Sequence, residues 1–203
     1  MQGDDLRTSD PALCQVYLEQ AGKTLHGSYA KGERDPRLLA VLGLCDYDVG
    51  AKAEARSMLA AATDAGVARP AAYLDLAHLI LEEARAHPAA ANGKFSAEQT
   101  AAILKPLFAV RQRTRLEARG YLLIAEAWKE SADRPLPAHL AALDEGIRLY
   151  PFDSELCASA AKVYAQWGYP AGAETLIEQG LKSADEKAAR QLQDLRASLQ
   201  TVK

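Results

Sequence analysis

A chain of 203 residues holds one ordinary domain or one short repeat array. Its 41 Ala and 28 Leu against 7 Val and 5 Ile favour helix, because Ala and Leu lose little side-chain freedom there and residues suited to a pleated sheet are scarce. That excludes sandwiches, barrels and doubly wound sheets, and a formal charge of −3 gives no general attraction to nucleic acid or anionic membrane.

The start, Met1-Gln2-Gly3-Asp4-Asp5, lacks the basic-then-apolar layout of a signal peptide, and residues 1–10 read as a linker or disordered start. No run of 18 apolar residues offers a transmembrane helix, so no membrane insertion is expected. Asp10-Pro11 opens a first helix with Leu13, Val16, Tyr17, Leu25 and Tyr29 at helical spacing, ending by Gly32-Glu33-Arg34. Asp35-Pro36 is a capping carboxylate followed by proline at the first helical position, with Leu38, Leu39, Leu42 and Cys45 as the buried stripe. Gly50 breaks that helix, and the next carries Ala55, Met58, Leu59 and Ala62.

Pro70 opens a helix to about Ala86, with Tyr73, Leu76, Ala77 and Ile80 on one face. A small-residue loop, His87 to Gly93, follows, and Ser96 with Gln99 forms a capping-box signature for a helix to about Arg111. Pro106 inside it should introduce a kink. Further helices are expected over Leu116–Glu130, Ala138–Tyr150, Ser154–Gln166 and Pro170–Lys182, and over a last segment from Asp185 to Leu199. Gly, Pro or Asp marks each junction.

Equivalent helix starts recur. Pro36 to Pro70 is 34 residues, Pro70 to Ala118 is 48 (34 plus an insertion of 14), and Ala118 to Ser154 is 36. On these residues the chain resembles the tetratricopeptide repeat (TPR) family. Repeat one offers Leu39, Leu42-Gly43, Gly50, Ala55, Leu59 and Ala62, with Asp46 where an aromatic is usual. Repeat two offers Tyr73, Leu76-Ala77 and Ile80. Repeat three offers Tyr121, Ile124-Ala125, Trp128, Leu143, Gly146 and Pro151, and repeat four offers Cys157, Ala160-Ala161, Tyr164, Gly168, Ala173, Ile177 and Gly180. Small residues let paired helices approach, and large ones fill the space beside them.

The resemblance implies an all-α solenoid of stacked antiparallel helix pairs in a right-handed superhelix, about nine helices in all. Its parts are an unpaired first helix at 11–34, repeats at 36–69, 70–117, 118–153 and 154–184, and a capping helix at 185–203.

Signs of chemistry are sparse. Gly22-Lys23-Thr24 has Tyr17 where a phosphate-binding loop needs glycine, and reads as helix rather than strand-to-helix turn. The histidines His26, His78, His87 and His139 form no HExxH; His78 and Glu82 share a helix face without a third ligand. Glu82-Glu83 and Asp144-Glu145 are adjacent and diverge on a helix. No catalytic residue, cofactor or metal is expected. Cys14, Cys45 and Cys157 are odd in number with no CxxC, and read as reduced core thiols, which favours a cytoplasmic setting.

Arg111, Arg113, Arg115 and Arg119 concentrate positive charge, either as a docking patch for an acidic partner or phosphate, or as cations complementing a helix C-terminus. The resemblance implies that first helices line a concave groove holding a peptide or partner helix. Its groove positions are Arg37, Leu44, Tyr47 and Asp48; Leu74, His78, Leu81 and Glu82; Arg119, Leu122, Glu126, Lys129 and Glu130; and Lys162 and Gln166. Tyr47 and Leu81 are the expected anchors. No asparagine occupies these positions, so the family's carboxylate clamp is not supported. The expected function is a non-catalytic protein-interaction module or scaffold that binds a protein or peptide and no nucleic acid. A second reading is the helical appendage of a longer bacterial enzyme, peptidase-like in its front end, because the first helix is unpaired and the later repeats resemble TPR tails of such proteins.

Overall fold

The computed structural model describes residues 11–201, so the expected linker 1–10 lies outside the described residues. The fold is all-α. Its helices are α1 (Pro11–Ala30), α2 (Pro36–Asp48), α3 (Lys52–Asp64), α4 (Pro70–Ala86), α5 (Ala97–Arg111), α6 (Ala118–Glu130), α7 (Pro137–Leu149), α8 (Ser154–Gln166), α9 (Pro170–Leu181) and α10 (Glu186–Thr201), with a 3-10 turn at Ala91–Gly93. Every helical segment expected from the sequence is present, making ten α-helices among the described residues where the resemblance implies about nine. Among the described residues there is no strand, only one isolated bridge between Phe95 and Ser131.

Local chemistry sets the helix ends. The Asp35 carboxylate accepts the Arg37 backbone N–H at 2.7 Å, and the Asp153 carboxylate accepts that of Leu156 at 2.9 Å. Ser96 and Gln99 form the reciprocal capping box at the start of α5. Gly50 and Gly168 follow α2 and α8 at φ +83° and +81°, a left-handed conformation that side chains disfavour. Helix α5 runs on through a buried Pro106.

The helices fall into two compact units, Met1–Ile80 and Leu81–Lys203, with the boundary inside α4. In the first unit α2 packs against both α1 and α3. Gly43 makes the close approach: a Cβ there would lie 2.8 Å from Leu59 Cγ. Across α1 and α2, His26 Nε2 meets the buried Asp46 carboxylate at 2.9 Å.

In the second unit α6 pairs with α7, and α8 with α9. Helix α6 also touches α8, and α8 touches α10; α7 touches α8, and α9 touches α10. Contact with the next helix and the next but one is how stacked helix pairs bury their faces. Gly146 of α7 backs onto Tyr121 of α6, and Gly180 of α9 onto Cys157 of α8. These glycines stand one 34-residue repeat apart and do the same steric job. The last helix buries Leu192 and ties its polar side to α9 through Arg196, which bonds Glu174 and Glu178.

The segment between α4 and α5 is anchored. Phe95 is buried, donates its N–H to Glu130 O at 2.8 Å and accepts that of Ala132 at 2.9 Å. The Gln99 side chain accepts the Ala89 N–H at 2.9 Å and donates to His87 O at 2.7 Å.

Candidate functional site

In the first unit Arg37 is exposed, while Leu44, Tyr47 and Asp48 are half-buried. The Tyr47 hydroxyl and His78 Nδ1 lie 2.8 Å apart. Leu74 and Leu81 correct the sequence reading. Both are buried, at 2% and 0% exposure, so neither offers a solvent-facing contact. Glu82, next to Leu81 and like it in the second unit, is half-buried.

The second unit leaves narrow accessible rows on its first helices. On α6, Arg119 is exposed and Leu122, Glu126, Lys129 and Glu130 are half-buried, while Gly120, Tyr121, Leu123–Ala125, Ala127 and Trp128 are buried. On α8, Glu155, Lys162 and Gln166 are exposed and Ser159 is half-buried. Arg85 near the end of α4 bridges the row's acids, reaching Glu126 at 2.9 Å and Glu130 at 2.6 Å.

The arginine cluster is not one open patch. Arg111 donates to Glu145 of α7, with Nε at 3.1 Å, and the Tyr121 hydroxyl donates to the same carboxylate at 2.6 Å. Arg115 donates to Leu149 O at the end of α7 at 3.1 Å and lies over the Tyr150 ring. Here it complements a helix C-terminus, but that of α7 rather than of its own neighbouring helix. Arg113 and Arg119 are exposed.

The two donors hold the Glu145 carboxyl below its ordinary value, Arg111 contributing most. A depressed carboxyl stabilises the fold fully above the ordinary value of 4.5 and loses that contribution as pH falls through its folded value. Glu145→Gln is therefore expected to be less stable than wild type at pH 7, with the gap closing below about pH 4.5. Urea melts from pH 7 to pH 3 check this; a gap independent of pH would refute it.

Burial pushes the Cys157 thiol up to about 11, with the Asp153 charge adding, and burial likewise raises Cys45. Thiols so disfavoured as thiolates are poor nucleophiles. Among the described residues no group of three His, Cys, Asp or Glu side chains could hold a metal ion, and no helix is long and apolar enough to cross a membrane.

One concavity was not legible beforehand. A cavity of about 510 Å³ lies between α5, the end of α6, the turn at 131–134 and the start of α7. The Trp128 and His139 rings stack along it, centroids 4.6 Å apart and 21° from parallel, and Phe108 tilts against His139 at 6.4 Å. Thr100 donates to Ser131 Oγ at 3.1 Å within its buried lining. In the sequence Trp128 reads only as a position of the third repeat and His139 only as an isolated histidine, and no local pattern pairs the two.

These features define an all-α helical-repeat protein with two candidate surfaces in its second unit. No protein-family model matches the chain, and no curated protein or solved structure matches it either.

Proposed function

We propose that the chain is a non-catalytic binding module that holds a peptide or helix of a partner protein along the accessible rows of α6 and α8. The supporting observation is the shape of those rows. Positions 119, 122, 126 and 129 on α6, and 155, 159, 162 and 166 on α8, recur at helical spacing on helices otherwise largely sunk in the core. Packing against neighbours fixes both helices, so a partner pays no entropy to order them. The resemblance of residues 36–184 to TPR repeats points the same way, because first helices face the groove in that family.

With charged residues dominating the rows, electrostatics would set orientation and salt dependence, and Leu122 would supply apolar contact. The test is site-specific photocrosslinking with benzoylphenylalanine placed at Leu122, at Ser159, or at exposed Ala141 on α7. Crosslinks to a partner are expected from the first two sites and not from the third. Lys129→Glu with Lys162→Glu should weaken the captured complex at least about tenfold, roughly 1.4 kcal/mol. Crosslinking from Ala141 alone, with the double reversal harmless, would refute the reading.

A further inference from the structure

The cavity in the second unit is distinct from the α6 and α8 rows, and its chemistry points to a different ligand. Its volume of about 510 Å³ falls within the range of small-molecule sites. Much of its lining is apolar, with Leu104, Phe108 and Ala101 from α5 facing the Trp128–His139 pair. A flat ring laid along such a wall gains offset or edge contacts beyond its area burial.

The polar groups are one-sided. His139 Nδ1 accepts the Leu136 backbone N–H at 3.1 Å, so the neutral ring carries its proton on Nε2 and donates from there. Desolvation disfavours the charged imidazolium, which keeps the ring in that form. Ser131 Oγ already accepts from Thr100 Oγ1 and from the Asp133 N–H, each at 3.1 Å, which leaves its own proton to donate. Trp128 is 5% exposed and its indole N–H is buried without a hydrogen-bond partner. That nitrogen is closed to solvent, so it reports on changes in the wall and is not itself a donor offered to a ligand.

At the mouth, Lys105 and Arg134 outnumber the single carboxylate of Asp133. The lining thus offers more donors than acceptors and a net positive rim. Such a lining rejects a cation and matches a single negative charge. Of the lining residues only Lys105 and Arg134 are cationic and Asp133 offsets one of them, a net balance that suits one negative charge better than the two of a phosphate dianion.

We propose that this cavity binds a small aromatic carboxylate, its ring along the Trp128–His139 wall and its carboxylate toward His139 Nε2 and the Lys105–Arg134 rim. A volume of about 510 Å³ suits a small free acid, and a peptide end is the alternative that the test sets against it. Binding here does not depend on the module's partner, so the proposal stands or falls apart from the function above.

The test is an NMR titration of the full ¹⁵N-labelled chain. Only Trp128 and Trp167 give indole N–H signals, and Trp167→Phe assigns them. Phenylacetate is the probe, with phenylacetamide as its neutral counterpart and acetate as the charge without the ring. A saturable shift of the Trp128 signal with phenylacetate is expected, with both controls binding at least tenfold more weakly. Lys105→Gln with Arg134→Gln should weaken phenylacetate about tenfold and leave the amide unchanged. Ala101→Phe adds a ring at an exposed lining position, and should abolish the shift while the helical spectrum and melt stay those of wild type. No saturable shift, equal binding of acid and amide, or full binding to a folded Ala101→Phe variant would overturn the proposal. So would binding of a tetrapeptide ending in phenylalanine where phenylacetate does not bind, which would assign the cavity to peptide ends.

Discussion

Leu81→Ala is expected to destabilise the chain by about 2–5 kcal/mol, as a core truncation and not as the loss of a binding contact. Leu81 is fully buried, and Leu74, Leu79 and Ala84 of the same helix are nearly so. Removing the isobutyl group forfeits its transfer free energy and leaves a hole that the neighbouring helices fill only in part. The neighbour Glu82 is half-buried and charged, so Glu82→Ala should stay within about 0.5 kcal/mol of wild type if its contacts are of the surface kind. Urea unfolding at pH 7 separates the two. An unchanged Leu81→Ala midpoint would mean that this face of α4 is open to solvent after all.

Gly43→Leu should cost about 1–3 kcal/mol by overpacking the contact between α2 and α3. The first carbon alone would lie 2.8 Å from Leu59 Cγ, 2.9 Å from Cδ2 and 3.1 Å from the Leu59 backbone nitrogen. Leu59 is itself fully buried and cannot swing aside, and the nitrogen moves only if the helices part. Gly27 makes the control: it sits inside α1, and apart from its own helix's backbone and chain neighbours no atom lies within 4 Å of an added Cβ. Gly27→Ala should be stabilising by about 0.5–1 kcal/mol, because alanine loses less backbone freedom in a helix. Paired thermal melts read both, and equal shifts of the same sign would show that Gly43 has no steric role.

The helices themselves were legible because their signals are local. Asp35-Pro36, the Ser96–Gln99 box and Asp153 act within one turn of chain, and each caps the helix expected of it. The repeat was legible for a related reason. A close approach needs a small residue at a fixed place in every pair, and Gly146 and Gly180 fill that place 34 residues apart. Each of the ten segments that read as helix in the sequence is a helix among the described residues, against the about nine that the resemblance implies.

Which faces of those helices meet solvent was decided by tertiary packing alone. A helical pattern reports one apolar stripe, but α6 and α8 are each packed by neighbours on several sides, and α4 buries most of its length. On such helices an apolar residue off the main stripe, like Leu81, reads as an exposed anchor when it is in fact core. Arg111 met the same limit: its partner Glu145 lies 34 residues away on another helix, where no spacing rule within one helix could pair them. The cavity beside Trp128 is further still from the sequence, because its walls come from α5, the end of α6, a turn and α7, and only their packing brings Trp128 and His139 into one stack.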